Sequence, residues 1–198
     1  MVEKYLKRSF ILTEKAPWVG RHQRHWRFSI LLTLQQHRIV TSCPEETLRF
    51  GTFLGRQLIC GDIVALSGDL GSGKTCLTQG IAKGLDVPRG FYITSPSFAL
   101  INEYPGRIRL FHMDLYRIRD VSELDEIGFD EILAVEGIVV IEWADKFPLA
   151  LPSERVDITL TIINERTREL SLNGHGHHAV DLVKNCFNFP EKGTNSYL

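Results

Sequence analysis

The stretch Asp62-Ile63-Val64-Ala65-Leu66-Ser67-Gly68-Asp69-Leu70-Gly71-Ser72-Gly73-Lys74-Thr75 decides how this chain folds. Its first half is a short apolar run that reads as a buried strand. Its second half, Gly68 to Thr75, satisfies the pattern G-x-x-x-x-G-K-[ST] at every fixed position. A helix is predicted from Lys74 to Gly84, with Leu77, Ile81 and Leu85 at helical spacing and Gly84 as its terminator. Strand, glycine loop and helix in that order are the setting in which this pattern holds phosphates.

Chemistry accounts for each fixed position. The glycines let the backbone curl so that successive N–H groups point inward at phosphate oxygens. The helix adds the positive end of its dipole to the same anion. Lys74 brings a full charge to the β- and γ-phosphates, and the Thr75 hydroxyl ligates magnesium. The nucleotide cradle is therefore expected to comprise Gly68, Asp69, Leu70, Gly71, Ser72, Gly73, Lys74 and Thr75, with Cys76 directly after it.

Working outward, a helix is expected from about Pro44 to Ile59, with Ser42 as its N-cap and Glu45 at capping-box spacing. Phe98–Tyr104 and Ile108–Asp114 read as strands joined at Pro105-Gly106, a hairpin, so the sheet should be mixed. Acidic helical stretches fill Ser122–Leu133, and Val156–Ile163 and Arg168–Leu172 give two last strands. The run Ile138-Val139-Val140-Ile141 suits a central strand buried on both faces. The fold class is thus α/β, three layers around a mixed, mostly parallel sheet.

Such a site also needs an acid at a strand end to hold the magnesium shell. Glu142 ends the apolar Ile138–Ile141 strand, whereas the strand ending at Asp114 is broken by Arg109 and His112. Glu142 is therefore the better magnesium acid. Asp114 is left to act through water or as a γ-phosphate sensor, so the expected catalytic set is Lys74, Glu142 and Asp114, with Thr75 and Glu142 on the metal.

The 198 residues suit one domain; 43% are apolar and 24% charged, ordinary values for a globular protein. No run approaches the ~18 apolar residues of a membrane helix. Residues 1–39 carry eight Lys or Arg against Glu3 and Glu14, net +6; the whole chain is −1, leaving −7 for the rest. An acidic body argues against broad nucleic-acid binding. The basic leader lacks a secretory pattern and is too poor in serine for a good transit peptide, which favours a flexible tail or a start assigned too far upstream. From Gly174 the Gly-His-Gly-His-His stretch reads as the start of a loose tail, so the expected division is leader 1–39, ATPase domain 40–174 and tail 175–198. Cys43, Cys60, Cys76 and Cys186 form no C-x-x-C pair, which fits reduced thiols in the cytoplasm.

Four further motifs narrow the reading: Ser95-Pro96-Ser97-Phe98, Asn102-Glu103-Tyr104, His112-Met113-Asp114-Leu115-Tyr116-Arg117 and Ile141-Glu142-Trp143-Ala144. Together with the P-loop they resemble, over about Cys43 to Leu172, the bacterial ATPase family (TsaE/YjeE type) that serves formation of threonylcarbamoyladenosine at position 37 of tRNA. The resemblance implies ATP and Mg²⁺ as cofactors and slow hydrolysis. It also implies docking on a heterodimer of two sugar-kinase-fold subunits that transfers the group, with tRNA contacted only indirectly.

It further implies that Thr47 and Trp143 lie near the nucleotide and that Ser97 belongs to a switch-like loop facing the γ-phosphate. Arg117 is left between the phosphates, the partner interface and a plain salt bridge. Where the family often has alanine and threonine, this chain has Ser72 and Cys76. The leader departs from the usual member, which begins close to Cys43. A small-molecule kinase is the alternative enzyme, disfavoured because no arginine-rich lid is evident. A nucleotide-operated binding module is the non-enzymatic one, separable by single-turnover hydrolysis.

Overall fold

The computed structural model describes residues 37–190, so most of the expected leader and the last eight residues of the expected tail lie outside the described residues. The strands are β1 (His37–Thr41), β2 (Ile63–Ser67), β3 (Ile101–Tyr104), β4 (Leu110–Asp114), β5 (Ile138–Glu142), β6 (Arg155–Ile162) and β7 (Arg168–His175). They form one sheet in the order β1-β7-β6-β2-β5-β4-β3. Its centre, β6-β2-β5-β4, is parallel, while β3 on one flank and β7 and β1 on the other run antiparallel to their neighbours. The mixed sheet and the Pro105-Gly106 hairpin are as expected, and β5 lies directly beside the P-loop strand, with Leu66 the register partner of Glu142.

The helices are α1 (Pro44–Gly55), α2 (Lys74–Gly84), α3 (Val121–Glu126), α4 (Phe129–Leu133) and α5 (His177–Asn185). Successive side chains along a strand point to opposite faces, and this divides the core in two. Val64, Leu66, Leu110, Ile138 and Val140 pack with Leu54, Leu77 and Ile81 of α1 and α2 and Leu182 of α5. Ile63, Ala65, Met113, Val139 and Ile141 pack on the other face with Leu124 of α3 and Phe129 of α4. Three layers result, and each fully buried Leu or Ile contributes roughly 1.5–3 kcal/mol. On the first face α1 and α2 cross at glycines: a Cβ on Gly51 would stand 2.9 Å from the Gly80 Cα, so neither position admits a side chain.

Three expectations need correction. Regular structure begins before Pro44: β1 takes in the last three residues of the expected leader. Only Ile39 and Thr41 of its five residues are buried, too brief an alternation to read in sequence. The cap of α1 is Cys43, not Ser42, with Pro44 in the first turn. Ser42 instead donates its backbone N–H and hydroxyl to Glu46 Oε2 (2.7 and 2.9 Å), so the reciprocal acid is one residue later than Glu45; the helix also ends at Gly55 rather than Ile59.

The third correction concerns the C-terminus. β7 runs on to His175, and α5 follows in place of a loose stretch, with Ala179, Val180, Leu182 and Val183 buried. The apolar spacing i, i+1, i+3, i+4 is helical, but the glycine–histidine run before it masked the start. Gly174 still lies within β7, and Gly176, at φ 85°, makes the turn from strand to helix.

Candidate functional site

Beyond Ser67 the chain curls through left-handed positions that suit glycine: φ is 134° at Gly68, 77° at Gly71 and 103° at Gly73. A Cβ on Gly68 would also strike the Leu160 carbonyl of β6. The loop tip is open to solvent, with Leu70 78% exposed. Lys74, by contrast, is buried at the loop's base. Its ammonium donates to the Gly68 and Asp69 carbonyls (2.6 and 3.0 Å) and lies 3.7 Å from the Trp143 ring centre. Burial lowers the Lys74 pKa from the ordinary lysine value, and the nearby charges of Glu142 and Asp114 pull it back up.

The two acids stand at register-paired ends of adjacent strands, Asp114 on β4 and Glu142 on β5, both buried. Strand parity puts both on the face covered by α2. Their partners differ. Glu142 Oε2 accepts the Thr75 hydroxyl at 3.1 Å, and Oε1 is 2.8 Å from His112 Nε2. Asp114 accepts the Tyr116 backbone N–H on Oδ1 at 2.8 Å and the Ser95 hydroxyl on Oδ2. Glu142 is thus joined to the P-loop helix, and Asp114 to the loop that carries Ser95, Pro96 and Ser97. Directly after Glu142, Trp143 takes a left-handed conformation (φ 60°). That bend is where the indole stands over the Lys74 ammonium and 4.9 Å from the Tyr116 ring.

Thr75 Oγ1 and Glu142 Oε2, 3.1 Å apart, fit a magnesium ion held by one hydroxyl and one carboxylate. Among the described residues no group of three or more His, Cys, Asp or Glu converges. This donor set suits Mg²⁺ completed by phosphate oxygens and water, not an all-protein cage. Such an ion neutralises charge that builds on transferring phosphoryl oxygens.

The remaining predicted residues are placed more loosely. Thr47 is buried in the first turns of α1, with its hydroxyl 2.8 Å from that of Thr41 on β1. Cys76 Sγ donates to the Pro44 carbonyl at 3.3 Å, joining the starts of α1 and α2, and burial raises its pKa. Ser97 is half-buried in the Ser95 loop, and the Arg117 guanidinium lies 4.0 Å from the ring centre of the exposed Phe98. Ser72 is fully buried, and its hydroxyl has no hydrogen-bond partner.

Sequence reasoning missed Arg168. From the start of β7 its guanidinium donates to the carbonyls of Ser72 (3.0 Å) and Gly71 (3.2 Å), and to those of Asn164 and Thr167. The clamp occupies the loop's outward-facing carbonyls. It also missed His112 and Ser95 as partners of the acids. Both lie in quoted motifs, and their spacing to Asp114 was the only signal available.

Comparison with known proteins identifies the family. The sequence model of the family described as "Threonylcarbamoyl adenosine biosynthesis protein TsaE" matches residues 41–170. The chain is 38% identical over 135 residues to the tRNA threonylcarbamoyladenosine biosynthesis protein TsaE of Treponema pallidum, covering 68% of this chain and 98% of that one. It is 40% identical over 153 residues to the protein of the same name from a Nostoc species, covering 75% and 93%. Among solved structures, Bacillus subtilis YdiB superposes with a TM-score of 0.64 at 33% identity, covering 77% of this chain and 95% of that one. No helix among the described residues is long and apolar enough to cross a membrane.

Proposed function

The chain belongs to the TsaE family, acting in tRNA threonylcarbamoyladenosine biosynthesis, and from that premise we propose that it binds ATP with Mg²⁺ and hydrolyses it slowly. The observation that carries the proposal is the 3.1 Å contact between the P-loop hydroxyl of Thr75 and the buried Glu142 carboxylate on the neighbouring strand. A plain structural glycine turn has no reason to bring those two groups together.

In this reading the loop N–H groups and Lys74 bind the phosphates, and Lys74 exchanges the Gly68 and Asp69 carbonyls for phosphate oxygens. Thr75 and Glu142 hold the metal. Trp143 closes one side of the site and shields Lys74 from water. Asp114, through Ser95, ties the state of the site to the loop that exposes Phe98 and Tyr92. That loop is the docking surface for two sugar-kinase-fold subunits of the transferase in the cytoplasm, and tRNA meets this subunit only through them. Hydrolysis loosens the loop and releases the partners.

Depletion in cells tests the whole reading. Mass spectrometry of digested tRNA should show threonylcarbamoyladenosine lost from tRNAs that decode codons beginning with A. Normal modification in depleted cells that hold no second copy of the gene would overturn it.

A further inference from the structure

His112 sits on β4 two residues before Asp114, so its side chain shares the α2 face of the sheet. It has no solvent exposure at all. Nε2 is 2.8 Å from Glu142 Oε1, while Nδ1 is buried without a hydrogen-bond partner. Buried polar atoms in native proteins nearly always have partners, so an orphaned ring nitrogen calls for a reason. A carboxylate can only accept, so the ring's proton must sit on Nε2 for the contact to be a hydrogen bond. Nδ1 is left without a partner inside the core. The position tolerates that unpaired nitrogen in return for one donor aimed at one oxygen of Glu142. An apolar side chain would leave no orphaned ring nitrogen, but it would strip the buried Glu142 Oε1 of this donor.

The other oxygen of Glu142 accepts the Thr75 hydroxyl. With a donor on each oxygen, the buried carboxylate has a single orientation, and Oε2 faces the P-loop helix. We propose that His112 is a positioning residue: with a proton on Nε2 it completes a His112–Glu142–Thr75 chain that holds Glu142 in its working pose. The kinetic part of this rests on the ATPase reading, but the Nε2 proton and the chain do not. Histidines that ligate metals are commonly oriented by an outer carboxylate; here the order is reversed, and the histidine orients the acid.

Three measurements on the full chain test it. In nucleotide-free protein, ¹⁵N NMR of labelled histidine should show His112 with a protonated Nε2. A bare Nε2 overturns the proposal whether or not the protein hydrolyses ATP. His112→Leu removes the donor and should lower kcat about 10–100-fold, with ATP affinity within roughly threefold of wild type. His112→Gln, whose amide N–H reaches a similar place, should recover most of that loss. Unchanged kcat in His112→Leu, or equal loss of kcat and affinity in both variants, would reduce His112 to core packing. If wild type itself turned over no ATP, the function reading would fail, and the spectrum alone would still decide whether Nε2 is protonated.

Discussion

The parallel centre and the antiparallel flank of this sheet spend their interiors differently. At the C-terminal ends of β2, β5 and β4 the buried residues include Lys74, His112, Asp114 and Glu142, four groups that are expensive to remove from water. Along β7, β1 and α5, and along β6 where the centre meets that flank, the buried residues are mostly apolar: Ile39, Val156, Ile158, Leu160, Leu170, Leu172 and Leu182. Polar pairs on that flank stay nearer the surface, such as the ion pair Arg155–Asp157 and the His175–Asp157 contact, both at 2.7 Å. Pairs that keep some contact with water are worth less than buried ones, whereas a buried charge stripped of its partner costs several kcal/mol. One half of the molecule therefore holds charge ready for chemistry, and the other supplies the apolar burial that keeps that half in place. Arg168 spans the two, reaching from β7 to the P-loop carbonyls.

The largest effects should come from breaking the charged half. Lys74→Ala should abolish ATP binding by calorimetry, because Lys74 supplies the full positive charge at the base of the loop. Undiminished affinity in a folded variant would remove the phosphate role from the loop. Next comes Glu142→Ala, expected to cut hydrolysis roughly 10²–10³-fold while leaving nucleotide affinity within a few fold. Asp114→Asn sharpens the contrast between the two acids. Asp114 is bonded to Ser95 and the Tyr116 N–H, not to Thr75, so its loss should disturb partner docking more than turnover by the isolated subunit. Near-normal turnover in Glu142→Ala beside a dead Asp114→Asn would reverse their roles.

Much of the charged half was legible in the sequence, because local spacing encodes it. The glycine pattern is contiguous, the helix after it is amphipathic, and Ile138–Ile141 is apolar enough to demand a place beside β2. Its internal pairing was not legible: His112 meets Glu142 across 30 residues, and Ser95 meets Asp114 across 19. The flank read less well for a different reason. β1 is a five-residue edge strand with two buried positions, and α5 follows a glycine–histidine run that resembles a loop. Arg168 reaches carbonyls 96 and 97 residues away, and backbone acceptors leave no trace in residue type.

Arg168→Leu probes the bridge between the halves. It removes donors from the Gly71 and Ser72 carbonyls without touching any N–H that would meet phosphate. The loop loses one of its fixed edges but keeps its cradle, so ATP affinity should fall about 3- to 10-fold, on the order of 1 kcal/mol. Calorimetry on the folded variant checks this. No change in affinity would show that the glycine backbone holds its curl unaided, and a complete loss would make Arg168 part of the binding set.

The smallest effect on function should come from the apolar flank, and Leu182→Ala in α5 tests it. Leu182 is 3% exposed and packs in the core cluster with the β6 and β7 leucines and isoleucines. Removing three carbons from such a site leaves a cavity as well as a lost transfer energy, typically about 2–5 kcal/mol. For a domain of this size each kcal/mol moves Tm by about 2–4 °C, so the fall should be several degrees or more by calorimetric scanning. Turnover and ATP affinity, measured well below the new Tm, should stay within about twofold of wild type, since no bond from α5 to the P-loop or either acid is present among the described residues. An unchanged Tm would mean that α5 adds nothing and that the terminus behaves as the loose tail its glycines suggest. A loss of kcat without a loss of stability would be the more instructive failure. It would show that the flank tunes the charged half at a distance, with Arg168, at the start of the strand that leads into α5, as the first path to examine.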